Sequence, residues 1–169
     1  MKSLRYYFQR MRPRLADDYA APDLLRTQGA TIGVGCRILV RDLGSEPWLV
    51  TIGDETCISS DVLFVTHDGG TWAMRDLRPG VNHFGRITIG SRCFIGTRAI
   101  IMPGVTIGDR CVVGAGSLVL RDVVSGTVVA GVPAGAIETT DEYIAKHEAT
   151  SIRLPGDPRG FRRELERLL

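Results

Sequence analysis

The chain has no long uninterrupted hydrophobic run and little net charge. Its 169 residues hold 21 Lys and Arg against 19 Asp and Glu, and the resulting charge of +2 is too small to favour nucleic acid as a partner. A membrane-spanning helix needs about 20 mostly apolar residues, so none is predicted. The first residues also lack the apolar segment of a signal peptide. We therefore expect one cytoplasmic domain.

The four cysteines show no CxxC spacing; they are Cys36, Cys57, Cys93 and Cys111. Without such pairs a structural zinc site is not expected. A reducing compartment also disfavours a disulfide between Cys93 and Cys111. The expected role of these cysteines is therefore that of small core residues.

The strongest positive feature is a period of six residues between Ile87 and Val124. An aliphatic residue recurs at every sixth position: Ile89, Ile95, Ile101, Ile107, Val113 and Val119. The fourth position after each is small or β-branched: Cys93, Ala99, Val105, Cys111, Ser117 and Val123. This period fits neither an amphipathic helix nor an alternating strand. It is typical of a parallel β-helix, in which three hexapeptides form one triangular coil and stacked coils share a core.

The repeat has two interruptions. It begins at Ile32, breaks over residues 42–48, and resumes at Ile52. It breaks again over residues 69–86, which are polar and irregular, before restarting at Ile87. A loop of that length in a compact domain is usually functional.

The two ends of the chain lack the period. We expect an N-terminal helical segment over residues 1–30, the β-helix over 31–138, and a helical tail over 139–169. Thr139 and Glu142 form a capping-box pattern that predicts a helix start. Further helices are predicted from two sets of apolar residues: Leu4, Tyr7, Phe8 and Met11, and Phe161, Leu165 and Leu168.

Residues 1–16 carry five basic residues and no acidic residue. Such a segment is either a solvated face or a weak contact with an anionic membrane surface.

The run IGSRCFIGTRAIIMPGVTIGDRCVVGAGSLVLRDV, followed by VVAGVPA, resembles the hexapeptide-repeat acyltransferases. More narrowly, it resembles the sugar and polysaccharide O-acetyltransferases that include galactoside and maltose acetyltransferases. The similarity covers about residues 30–138. It implies a left-handed coil, a homotrimer and acetyl-CoA as donor, with no metal. The handedness rests on the resemblance alone, because parallel crossovers in general are right-handed in about 98% of cases.

The chain has three histidines, and one stands at the entrance to the long excursion. Acyl transfer to a hydroxyl needs a base, and the histidine side chain is suited to that work near neutral pH. His67, in VTHDGG, lies where the last regular strand opens into residues 69–86, and the resemblance implies that it is the general base. His83 either lines an acceptor pocket or is solvated. His147 is expected on the surface of the C-terminal helix.

Acceptor-binding residues are expected around the excursion: Asp61, Asp68, Trp72, Arg75 and His83. Asp61 matches the position of an acceptor-binding Asn in the galactoside enzyme. Asp68 is expected to shape the turn or contact a sugar hydroxyl. Trp72 and Arg75 are expected to cover the pocket, because an aromatic face suits a sugar ring.

Donor-binding residues follow from the resemblance: Thr97, Ala115, Gly116 and Arg121. Small side chains at Ala115 and Gly116 would let the backbone approach the pantetheine amides, and Arg121 would meet a phosphate. The chain departs from the family pattern at Gly135, where a basic residue is usual.

Other functions remain open. The nearer alternatives are an N-acetyltransferase of a nucleotide amino sugar and a serine acetyltransferase. A γ-type carbonic anhydrase needs three zinc-binding histidines at a spacing that this chain does not show. A non-catalytic β-helix module would not need a histidine at the entrance to a long loop.

Overall fold

A computed structural model describes residues 21–148 and 165–168. The helix predicted near residues 4–11, the basic segment 1–16 and Phe161 lie outside these ranges, whereas residues 165–168 are helical. Within the described ranges no helix is both long and apolar enough to cross a bilayer.

The described chain is built mainly from very short strands. In chain order they are β1 (Thr31–Ile32), β2 (Arg37–Ile38), β3 (Val50–Ile52), β4 (Cys57–Ile58), β5 (Leu63–Phe64), β6 (His67–Asp68), β7 (His83–Phe84), β8 (Ile87–Ile89), β9 (Phe94–Ile95), β10 (Ile100–Ile101), β11 (Thr106–Ile107), β12 (Val112–Val113), β13 (Leu118–Val119), β14 (Thr127–Gly131) and β15 (Ala134–Thr139).

Three sheets form the three faces of a triangular coil. Face 1 contains β1, β3, β8 and β11; face 2 contains β2, β4, β9, β12 and β14; face 3 contains β5, β10 and β13. Neighbouring strands on each of these faces are parallel, and the chain visits the faces in the order 1, 2, 3. The predicted parallel β-helix is thereby confirmed.

The hexapeptide aliphatics form stacked columns inside the coil. Ile89 pairs in register with Ile107 on face 1, Ile95 with Val113 on face 2, and Ile101 with Val119 on face 3. Their side chains are all buried, and Ile107 is 0% exposed. The period of six therefore predicts both the face and the inward direction of each of these residues.

The corner between faces 1 and 2 explains the small residues of the repeat. Cys36, Cys93 and Cys111 are buried there, and each thiol donates to a carbonyl oxygen of the following coil. The Cys93 Sγ lies 3.0 Å from the Gly108 oxygen. Thr56 takes the same position in its coil and donates to the Gly90 oxygen at 2.8 Å. The position therefore accepts a short side chain that carries one donor, and all four cysteines are free thiols.

The outward surfaces of the faces differ in polarity. The outward residues of face 1 are threonines that pair in register: Thr31, Thr51, Thr88 and Thr106. The outward residues of face 3 are apolar and also pair in register: Leu63, Ile100 and Leu118. Leu63 is 55% exposed.

Both ends of the coil are covered within the described residues. Helix α1 (Ala21–Thr27) packs on β1 and β2 and buries Ala21 and Leu25 over the first coil. At the other end β15 runs antiparallel to β14, and helix α2 (Thr140–Glu148) follows it. The predicted capping box is confirmed: the Glu142 carboxylate accepts from the Thr139 N–H at 2.8 Å, and the Glu142 N–H donates to the Thr139 hydroxyl at 3.2 Å.

Two interruptions leave the coil near the edge between faces 3 and 1. Residues 39–49 join β2 to β3 without a strand on face 3 and include a 3-10 helix at Pro47–Leu49. The second interruption begins with β6, which pairs antiparallel with β7, and a 3-10 helix at Gly69–Met74 follows β6.

Candidate functional site

The second interruption is a hairpin held against the coil, and it positions His67. In the β6–β7 pair His67 lies opposite Phe84, and Asp68 lies opposite His83. The Gly85 N–H donates to the Thr66 oxygen at 2.9 Å and closes the base of the hairpin. A Cβ atom at Gly85 would collide with the backbone of Gly104, so glycine lets the chain return directly onto the next coil.

His67 is held by a carboxylate from the first interruption. Its Nδ1 lies 2.9 Å from Oε2 of Glu46, and the Thr66 hydroxyl donates to the same oxygen at 2.6 Å. The Glu46 side chain is 16% exposed and that of His67 is 44% exposed. An ionised carboxylate only accepts hydrogen bonds, so Nδ1 donates here. In the neutral imidazole, Nε2 then keeps a free lone pair.

Glu46 is the site residue that sequence reasoning missed. It lies in residues 42–48, where the sequence shows only a break in the repeat. A signal was present in the spacing. Thr66 follows Glu46 by 20 residues, which is also the separation of Ile32 from Ile52 in the same two coils. Residues one coil apart stack, so this spacing places Glu46 beside the start of the hairpin.

A cavity of about 380 Å³ opens beside His67 in the hairpin. Its lining residues are His67, Asp68, Gly69, Thr71, Trp72, Arg75, Gly80, Val81 and Asn82. The Arg75 guanidinium carbon lies 3.9 Å from the centroid of the Trp72 ring, and Trp72 is 71% exposed. The structure therefore brings four of the predicted site residues together.

Asp68 caps the 3-10 helix at Gly69–Met74, because its side chain accepts from the Gly70 N–H at 2.8 Å. This is the turn-shaping contact that the sequence suggested. His83 is exposed and is not among the residues that line the cavity. His147 lies in α2 and packs its ring 4.5 Å from that of Tyr143.

Most of the predicted donor residues lie on another edge of the coil. Thr97 precedes β10 and Ala115 precedes β13, so both lie at the corner between faces 2 and 3. The Gly116 N–H donates to the Thr97 oxygen at 2.8 Å, and Gly116 has a φ of 70° with open space where a Cβ would stand. Asp61 lies at the same corner, with its carboxylate 3.9 Å from Arg98.

Within one chain, face 3 separates this corner from His67. Asp61 precedes β5, whereas His67 follows it. Arg121 follows β13, so it lies on the His67 edge, two coils further on, and is exposed. Gly135 pairs with Ala130 in the β14–β15 hairpin.

The described residues, 21–148 with 165–168, contain no group of three His, Cys, Asp or Glu side chains placed to hold a metal ion.

Comparison with known proteins decides the family. Residues 86–121 match the family described as the hexapeptide repeat of succinyl-transferase. A stretch of 127 residues is 47% identical to Protein CapG of Staphylococcus aureus, covering 73% of this chain and 74% of that protein. The chain belongs to the hexapeptide-repeat acyltransferases. The protein is therefore an acyltransferase, and its coil is left-handed.

Two solved structures show the same fold at low identity. A galactoside acetyltransferase in complex with coenzyme A is 26% identical, with 83% of this chain and 78% of that chain covered and a TM-score of 0.57. A hexapeptide-repeat acetyltransferase from Vibrio cholerae O1 biovar eltor, complexed with acetyl coenzyme A, is 28% identical. That match covers 66% of this chain and 61% of the other, with a TM-score of 0.52.

Proposed function

We propose that this acyltransferase moves an acetyl group from acetyl-CoA to a hydroxyl of a sugar or of a surface polysaccharide or its precursor, with His67 as the general base. The observation that carries the proposal is the Glu46–His67 pair beside the hairpin cavity. A carboxylate on Nδ1 orients the imidazole and stabilises its protonated form, and Nε2 can then take a proton from an acceptor in the cavity.

The proposed transfer is direct. The acceptor hydroxyl gives its proton to Nε2 of His67 as its oxygen bonds to the thioester carbonyl carbon. The tetrahedral intermediate then expels the CoA thiolate, the C–S bond breaks, and the imidazolium returns the proton to sulfur. Glu46 remains ionised throughout and acts only through His67.

The proposed donor site is formed by Thr97, Ala115, Gly116 and Arg121. The two solved relatives with coenzyme A and acetyl coenzyme A support this class of donor. Ala115 is exposed, and nothing stands over Gly116, so a slender pantetheine arm can approach the backbone at this corner.

The position of these residues supports a homotrimer. His67 and Ala115 lie at the two edges of face 3, so a thioester at one edge would meet a histidine at the other only across a subunit boundary. The apolar outward residues of face 3, in contrast to the threonines of face 1, suit face 3 for burial against another copy. A stable, fully active monomer in sedimentation would contradict this assembly.

A serine acetyltransferase or an N-acetyltransferase of a nucleotide amino sugar remains the nearer alternative. The exposed Trp72 ring in the cavity favours a saccharide, since an aromatic face packs well against the C–H face of a sugar. An acetyl-CoA consumption assay over sugars, polysaccharide fragments, amino sugar nucleotides and serine separates these acceptors.

The mechanism is tested with His67→Ala, using His147→Ala as the matched control. Loss of a general base should lower kcat by about 10²–10⁴-fold with little change in acetyl-CoA affinity. His147→Ala, which changes a helix residue outside the cavity, should retain wild-type kcat. Full kcat in His67→Ala, or an acetyl-enzyme trapped without acceptor, would overturn the proposed mechanism.

A further inference from the structure

We infer that the acceptor carries a negative charge, as a carboxylate or a phosphate, and that Arg75 binds this anion beside Trp72 in the hairpin cavity. The inference rests on the proposed function and specifies the substrate class of the same site. Both side chains line the cavity together with His67.

Local geometry places the guanidinium on the indole. The Arg75 N–H donates to the Trp72 oxygen at 3.4 Å at the end of the 3-10 helix Gly69–Met74. Residues three apart in such a helix project from the same side. The guanidinium carbon consequently lies 3.9 Å from the indole centroid, a cation–π contact that restricts the Arg75 side chain.

The Arg75 charge has no carboxylate partner within 4.0 Å among the described residues, in contrast to two arginines of the coil, Arg92 and Arg98. Arg92 lies 2.9 Å from Glu55, and Arg98 lies 3.9 Å from Asp61. The one carboxylate that lines the cavity, Asp68, accepts from the Gly70 N–H.

The charge of the surrounding segment has the same sign. Residues 69–86 contain three arginines and a single acid, Asp76. Excess positive charge around a cleft attracts an anionic ligand and disfavours a cationic one.

The chemistry of the Arg75 guanidinium indicates which group of the acceptor it would bind. Arginine presents five N–H donors in a planar fork that matches the two oxygens of a carboxylate or a phosphate. A neutral sugar would leave the Arg75 guanidinium without an anionic partner in direct contact. A uronic acid or a phosphorylated sugar would supply one, while its ring packs near Trp72.

The test uses three acceptors with the same ring: a neutral hexoside, the matching hexuronic acid and the matching hexose phosphate. The variants are Arg75→Gln, Arg75→Lys and the control Arg78→Gln. Arg78 lies in the same hairpin, donates to the Leu77 oxygen and does not line the cavity. For each protein with each acceptor, three constants are measured: the KM for the acceptor, the KM for acetyl-CoA and kcat.

We expect the wild type to favour one anionic acceptor over the neutral one. Arg75→Gln should lower kcat/KM for that anion by about 10- to 100-fold, the range of a charge-assisted hydrogen bond, mainly through acceptor KM. Arg75→Lys should recover part of the loss, and Arg78→Gln should retain the preference. If the hexuronic acid is the preferred acceptor, Arg75 binds a carboxylate; if the hexose phosphate is preferred, Arg75 binds a phosphate.

Two results would overturn the inference while leaving the proposed function intact. One is His67-dependent acetylation in which Arg75→Gln affects neutral and anionic acceptors equally. The other is a rise in acetyl-CoA KM alone, which would assign Arg75 to the donor. Failure to acetylate any saccharide, with His67-dependent transfer to serine or an amino sugar instead, would overturn the proposed function and this inference with it.

Discussion

Glu46 Oε2 lies 2.9 Å from His67 Nδ1, although the two residues belong to different interruptions of the coil. The Thr66 hydroxyl donates to the same carboxylate oxygen at 2.6 Å. Each interruption therefore supplies one member of the pair, and the coil beneath them sets their separation. This relationship makes the short loop over residues 42–48 part of the candidate site.

Glu46→Gln should lower kcat by roughly 10- to 100-fold, because a neutral amide stabilises the protonated imidazole less than a carboxylate does. Acetyl-CoA KM and the melting temperature should change little, since Gln keeps the size of Glu. Ser45→Ala, at the exposed neighbouring position, is the control. Steady-state kinetics and thermal unfolding are measured for both variants. A variant with full kcat but reduced stability would show that the contact is only structural.

Ile107→Ala should lower the free energy of unfolding by about 2–5 kcal/mol, because it opens a cavity in the face 1 column. Its neighbour Thr106 points outward, so Thr106→Ala should cost less than about 0.5 kcal/mol. Denaturant unfolding of both variants gives the comparison. Equal costs would contradict the inward position of Ile107.

The buried Cys93 thiol should resist alkylation at neutral pH in the folded protein. Desolvation by burial, followed by the nearby Cys111 and Asp109, raises its pKa from 9.0 to about 11. Mass spectrometry after treatment with a thiol reagent should find Cys93 modified only after unfolding. Rapid native modification of Cys93 would contradict its burial.

The same shift predicts a pH dependence of stability. The unfolded chain releases the Cys93 proton at lower pH than the folded chain does, so stability that is present below pH 9.0 is lost as pH rises towards about 11. Cys93→Ala should show a shallower decline across that interval in denaturant unfolding. Parallel declines for the two proteins would assign the effect to other groups.

Ala115→Leu should raise the KM for acetyl-CoA and leave unfolding unchanged, because a larger side chain would obstruct the proposed pantetheine path from an exposed position. Ala145→Leu, on the exposed surface of α2, is the matched control. An unchanged acetyl-CoA KM in Ala115→Leu would remove this corner from the donor site.

Much of the architecture follows from local sequence. Ile89, Ile95 and Ile101 are spaced by one hexapeptide each, and they occupy faces 1, 2 and 3 in that order. The capping box at Thr139 is equally local, because its partners lie three residues apart. The entrance to the hairpin at His67 was visible because the period stops there.

The tertiary structure decided which interruptions meet. The repeat alone predicts 18 residues a coil, but Ile32 and Ile52 stack at a separation of 20 because residues 39–49 carry extra length. That length places Glu46 beside His67, a contact between coils that no pattern within a single hexapeptide predicts. A period of six determines where each side chain points within a coil, whereas contacts between coils depend on how each insertion folds back onto the stack.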